Sequence, residues 1–223
     1  MKKQILLLTL LIFTAAIPCW GFDDVSFNLG TAIPQNTYYT YTSNGIYGHV
    51  RGIDYIGNSN HLSLWADFNG IYFRQTEQVV YLEEFPYAGD AVIWSSEYSM
   101  AVHTGIQFGI NNREKPLRPK IGLGIGYYYF NTYIRFWEIA EDPDNSAPFF
   151  SENNSQFIFG WRLFTGLDLR LSDKTAFTID MTIDHLDNLK QNITYSDGET
   201  LPTSGKTAYF YNISLGVLLY LGE

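Results

Sequence analysis

From Glu97 to Ile110 the chain reads EYSMAVHTGIQFGI, and its character changes at every second residue. Tyr98, Met100, Val102, Thr104, Ile106, Phe108 and Ile110 form a largely apolar set. Glu97, Ser99, Ala101, His103, Gly105, Gln107 and Gly109 form a small or polar one. A period of two marks a β-strand with two unlike faces, and about fourteen residues is long for a strand of a soluble sheet. The pattern recurs, and eight strands are predicted. They run from about Val25 to Ile33, Ile46 to Ile56, His61 to Phe73, Trp94 to Ile110, Lys120 to Phe130, Gln156 to Leu171, Ala176 to Leu186 and Tyr209 to Leu221.

On strands three to eight the apolar faces carry no Asp, Glu, Lys or Arg. The opposite faces carry Asp67, Glu97, Lys120, Arg162, Asp168, Arg170, Asp180 and Asp184. Strand two breaks the pattern: Ile46, Gly48 and Val50 share one face, but Ile53 and Tyr55 fall on the other. A bulge at Gly52 is expected to repair this parity and to place Arg51 and Asp54 both inside. Connections after strands two, four and six are short, whereas those after one, three, five and seven are long: about Pro34–Gly45, Arg74–Ile93, Asn131–Ser155 and Asp187–Ala208. Short turns at one end and long loops at the other, with an even number of strands, are the mark of an outer-membrane barrel. In lipid the backbone must satisfy itself, so such a sheet closes. The fold class is therefore all-β, an eight-stranded antiparallel up-and-down transmembrane β-barrel. Tyr72, Phe73, Trp94, Tyr98, Tyr127, Tyr129, Phe157, Tyr209 and Tyr211 lie toward the long-loop ends, where an aromatic girdle belongs.

Lys2 and Lys3 precede the apolar run ILLLTLLIFTAAI, which ends in small residues. This is the layout of a secretory signal peptide. It is assigned to residues 1–21, with cleavage after Gly21 and a single barrel domain over 22–223. Cys19 offers a lipoprotein acceptor as an alternative. Cleavage after Gly21 leaves no cysteine and takes the net charge from −9 to −11. A chain so acidic is a poor nucleic-acid binder. Its 17 Tyr, 16 Phe and five Trp suit a large apolar exterior.

At this point the chain resembles the eight-stranded barrels of the outer membrane protein A, X and W class over nearly all of residues 22–223. Ser214, Gly216, Leu219 and Leu221 resemble the C-terminal assembly signal of such barrels, although Gly222-Glu223 replaces the terminal aromatic residue. The resemblance implies recognition by barrel-assembly machinery, contact with outer-membrane lipid and lipopolysaccharide-like glycolipid, and a monomer. No room is expected for a peptidoglycan-binding domain after strand eight.

An eight-stranded barrel is just wide enough for its own side chains. Charges inside it must be paired. A tight turn at Ser172–Lys174 sets Arg162 opposite Asp184, with Asp180 in diagonal reach of basic neighbours. This inner network of Arg51, Asp54, Asp67, Glu97, His103, Arg162, Asp168, Arg170, Asp180 and Asp184 is read as structural glue, with a gated polar path as the alternative. The four histidines show no ligand spacing, so no metal and no cofactor are expected. Asn153, Asn192 and Asn212 begin glycosylation-type triplets that carry no weight in a bacterial protein.

The stretch DHLDNLKQNITYSDGE, from Asp184 to Glu199, resembles the catalytic region of the PagL-type lipid A deacylases, which carry His-x-Ser-Asn on the outer wall. His185 and Asn188 match, and Glu199 is a candidate acid. Asp187 stands where the nucleophilic serine belongs, and acyl transfer needs an activated nucleophile. The expectation is a protein that is not an enzyme. Its role is structural or surface-interacting, with acidic, aromatic long loops such as YLEEF and EIAEDPDN presented to a host or surface ligand. Transport of small hydrophobic molecules is the alternative that the outer membrane protein W group implies, with Phe130, Ile158 and Phe164 pointing inward.

Overall fold

The computed structural model describes residues 21–35, 44–57, 61–82, 89–138, 150–189, 192–194, 200–202 and 206–221. Seven long strands come first: β1 (Asp24–Gln35), β2 (Gly45–Tyr55), β3 (Leu62–Leu82), β4 (Gly89–Gly109), β5 (Leu117–Glu138), β6 (Phe150–Arg170) and β7 (Thr175–Leu189). Two three-residue strands, β8 (Asn192–Thr194) and β9 (Thr200–Pro202), pair only with each other, and β10 (Lys206–Tyr220) is the last. The eight long strands form one closed antiparallel barrel in which each pairs with its chain neighbours, and β1 closes on β10 from Asp24↔Tyr220 to Gln35↔Tyr209. Closure leaves no free edge in the band common to all eight strands, where each ladder position has a neighbour on both sides.

The period-two reading fixes which face is which. On β5 the exposed series is Ile121, Leu123, Ile125 and Tyr127, and the buried series between them is Gly122, Gly124, Gly126 and Tyr128. The apolar set therefore faces outward and the small or polar set faces the lumen. From Leu117 to Tyr129 the outward band covers about 30 Å along the barrel axis, taking ~3.3 Å per residue and a tilt of ~40°. The inward glycines make room for bulky neighbours. A methyl group on Gly124 would overlap the Trp65 ring, and one on Gly126 would overlap His103.

Two features differ from the sequence expectation. First, the strands run past the apolar band. β3 and β4 continue as a hairpin through Gln78↔Ile93 and Val79↔Val92, and β5 and β6 through Phe136↔Phe150. Segments assigned to the loops at Arg74–Ile93 and Asn131–Ser155 thus contain ladder, because TEQVVYL and DAVIW hold enough β-branched and aromatic residues to sustain it. Second, β2 has no bulge. Gly52 pairs regularly with Val25 on one side and Ala66 on the other. Ile53 and Tyr55 face inward, and Asp54 faces outward and is exposed. The parity change needs no repair, because the lumen at this end is itself apolar: Ile53 packs with Trp65, Phe164, Ala176, Leu218 and Tyr220.

Candidate functional site

The lumen is built in three layers. Near the short turns lies the apolar layer around Trp65 and Phe164, whose rings meet edge to face at 5.3 Å. The Trp65 indole N–H donates to the Ile106 carbonyl at 3.0 Å, so the ring is buried without an orphaned donor. Near the long loops lies a second apolar layer containing Ile71, Phe73, Phe130, Ile158, Leu186, Leu189 and Phe210. Phe210 packs against Phe73 at 5.4 Å and Phe130 at 6.2 Å, three rings drawn from β10, β3 and β5.

Between these layers runs a belt of charge. Lys120 Nζ lies 3.0 Å from Asp180, and Arg51 reaches Asp180 at 2.9 Å and Asp67 at 3.7 Å. Arg162 then joins Asp67 at 2.7 Å to Asp184 at 2.6 Å. Cations and carboxylates alternate along this chain, so each buried charge has an opposite charge beside it. Neutral groups add further hydrogen bonds to the carboxylates. Asn28 donates to Asp180 at 3.2 Å, Tyr128 to Asp184 at 2.9 Å, and Asn212 to Asp184 at 2.8 Å. His103 Nδ1 sits 2.8 Å from Asp67, and His49 Nε2 sits 3.5 Å from Asp180. All eight barrel strands contribute a side chain.

Several contacts span the cylinder rather than its wall. The Arg51 guanidinium from β2 stacks 3.8 Å from the centre of the Phe164 ring on β6, the diametrically opposite strand. Arg162 on β6 approaches the Tyr47 ring on β2 at 5.8 Å. These side chains bridge the lumen across its diameter.

Of the residues expected in the inner network, Arg51, Asp67, His103, Arg162, Asp180 and Asp184 meet in this belt. Asp168 lies nearer the short-turn end, 2.7 Å from Lys120 and 3.4 Å from Arg118. Glu97 is buried on the lumen side, above the belt. Asp54 is not part of the interior, for the reason given above. Arg170 has inward parity but sits at the rim, paired with Asp173 of the β6–β7 turn. Asn28, His49, Arg118, Lys120, Tyr128 and Asn212 complete the network beyond that set. The inward parity of Lys120 is visible in the sequence, whereas its partners across the lumen depend on how the barrel closes. At the short-turn mouth, Arg113 of the β4–β5 turn reaches over to β1. It donates to Asp24 Oδ1 at 2.7 Å and to the Asp23 carbonyl at 2.9 Å, with Tyr55 and Tyr220 stacked beneath it.

On the outer wall His185 faces outward but is only 8% exposed, because it stacks on Trp161 at 4.7 Å and meets Tyr209 edge to face at 4.7 Å. Its Nε2 is 3.5 Å from the exposed Asp187 carboxylate. Asn188 lies in β7 with its side chain outside the described residues, and Glu199 lies outside them altogether. Ser214 and Gly216 face inward on β10, and Leu219 and Leu221 face outward. Phe73 is not part of the outer girdle: it is fully buried in the lumen. No cluster of metal ligands occurs among the described residues.

A closed eight-stranded antiparallel meander, apolar outside and ion-paired inside, is the fold of the transmembrane β-barrels of outer membranes. Comparison with solved structures agrees. Neisserial surface protein A superposes with a TM-score of 0.53 at 9% identity, covering 89% of this chain and 96% of that one. The outer membrane protein OprG from Pseudomonas aeruginosa gives 0.52 at 13% identity, covering 90% and 97%. At these identities the likeness is one of fold. No family model matches the chain, and no curated protein matches it by sequence.

Proposed function

We propose that this protein is an outer-membrane barrel, exported by its N-terminal signal peptide, that works through its exterior and its long loops rather than through its lumen. The observation that carries this reading is the filled interior: the Arg51–Phe164 contact across the diameter and the charge chain from Lys120 to Asp184 occupy the space a solute would need. The barrel then serves as a rigid anchor for loops facing the cell's surroundings, a division of labour common to scaffolded binding loops. It acts as a monomer inserted by barrel-assembly machinery, with a host or surface ligand as partner. It is not an enzyme on this reading. Asp187 is a poor nucleophile for acyl transfer, and the ring of His185 is packed against Trp161 and Tyr209 instead of facing an open site.

Planar-bilayer recording on the refolded full chain tests this directly. Silence, or only brief small openings, is expected; a steady open-channel current of porin size overturns it.

A second reading has one observation in its favour. The long-loop layer around Phe73, Phe130, Ile158 and Phe210 is apolar, as passage of a small hydrophobic molecule requires. Such a molecule would leave sideways into the bilayer above the charged belt. Uptake of a lipophilic fluorophore into cells with and without the barrel distinguishes the two, and equal uptake removes the transport reading.

A further inference from the structure

Six arginines have described side chains, and five of them are ion-paired with aspartates: Arg51, Arg113, Arg118, Arg162 and Arg170. Arg135 is the exception. Its guanidinium stacks on Tyr133 with the carbon 4.5 Å from the ring centre, and its Nε donates to the Tyr133 hydroxyl. No carboxylate among the described residues pairs with it. In a chain of net charge −9, a cation with no carboxylate beside it among the described residues is unusual.

What lies below Arg135 matters as much. By the alternation of β5, Arg135, Tyr133 and Asn131 share the face of Tyr129 and Tyr127, which points outward. On β6 the same face carries Asn153, Ser155, Phe157 and Phe159, and the two strands pair Tyr133↔Asn153, Asn131↔Ser155, Tyr129↔Phe157 and Tyr127↔Phe159. The aromatic part is two rows deep: Tyr129 meets Phe157 at 5.1 Å, and Tyr127 meets Phe159 at 5.5 Å. Phe157 and Tyr127 are 77% and 66% exposed, among the most open apolar side chains on the barrel. Above them comes a band of amide and hydroxyl groups, in which Asn131 donates to Asn153 at 2.8 Å. The guanidinium stands at the top.

This strip has the order of an amphiphile: apolar, then neutral polar, then cationic. From Tyr129 to Arg135 is about 20 Å along the strand, or about 15 Å along the membrane normal at ~3.3 Å per residue and a tilt of ~40°. A glycerophospholipid holds its phosphate next to its ester groups and does not fill the amide band. A headgroup with sugar between acyl chains and phosphate does. We propose that the outward strip of β5 and β6 docks a phosphorylated glycolipid of the outer leaflet. Acyl chains lie on Tyr127, Phe157 and Phe159, sugar hydroxyls on the Asn153 and Ser155 band, and a phosphate on Arg135. Arg is suited to the last task because its planar fork meets two phosphate oxygens at once. The proposal rests on the outer-membrane reading above.

The test is native mass spectrometry of the folded full chain from phosphatidylcholine nanodiscs doped with either diphosphoryl lipid A or phosphatidylglycerol. A heat-dependent gel shift is checked first. Retained diphosphoryl lipid A in excess of phosphatidylglycerol is expected. Occupancy falls about tenfold for Arg135→Ala, as for the loss of one charge-assisted contact. It falls similarly when the probe is dephosphorylated, and it is unchanged for Arg170→Ala at the opposite mouth. Wild-type occupancy in Arg135→Ala, equal retention of phosphatidylglycerol, or no bound lipid A on a heat-shifting barrel overturns the proposal. A chain without the heat shift overturns instead the membrane reading beneath it.

Discussion

The lumen and the outer wall are made from the same strands, residue by alternate residue, yet they obey opposite rules. Inside, Asp67, Asp180, Asp184, Arg51, Lys120 and Arg162 are buried within reach of one another. Outside, the band from Leu117 to Tyr129 on β5 shows only apolar side chains and Pro119. A soluble barrel of the same shape would invert this. The difference shows that each face is matched to its own solvent. Hydrocarbon tolerates no charge on the wall, whereas the narrow interior tolerates charge only in neutralised chains.

The sharpest way to break this contrast is to remove one link of the inner chain. Arg162→Ala leaves Asp67 and Asp184 buried without their shared cation. An unfolding free energy lower by about 3–5 kcal/mol is expected, as for other broken buried pairs. Urea titration of the heat-dependent gel shift in lipid vesicles measures it. Removing Asp184 as well should return part of the loss, and a double variant no better than the single one would mean that the pair is not coupled.

The converse change puts a charge on the wall. Leu123→Lys, near the middle of the outward band, should cost about 2–4 kcal/mol in the same titration, with the penalty shrinking for positions nearer either end. A neutral effect would mean that this face does not meet hydrocarbon. The smallest effect belongs to the rim. Asp54 is exposed, outside the lumen and beyond the apolar band, so Asp54→Ser should change stability by no more than about 0.5 kcal/mol. A loss of several kcal/mol there would restore it to the inner network.

Much of this contrast is legible in the sequence, because a period of two needs no tertiary information. The inward or outward parity of Asp67, His103, Arg162, Asp180 and Asp184 follows from the strand pattern alone. The facing of Arg162 and Asp184 follows from the four-residue turn that joins β6 to β7. Asp54 lies outside, contrary to the pattern, for a specific reason. By sequence an apolar residue on this wall reads as facing lipid, whereas Ile53 and Tyr55 belong to an apolar layer inside. The contacts of Arg51 with Asp180 and of Arg162 with Asp67 are illegible, since they depend on the stagger with which the cylinder closes. So does Arg113, whose partner Asp24 is 89 residues away with no pattern linking them.

The charge belt also has a meaning in time. In an up-and-down meander nearly every strand contact joins chain neighbours, and the exception is the seam where Asp24 meets Tyr220. Arg51 and Asp180 are 129 residues apart, and Asn28 and Asp180 are 152 apart. Neither pair lies on adjacent strands, so neither exists in an open sheet. A half-formed sheet therefore carries the same charges unneutralised, and it gains the compensation only as the seam zips. That arrangement penalises partly closed intermediates and rewards the last step. It makes the belt a latch on the whole reaction, one that favours a concerted passage from open sheet to finished cylinder.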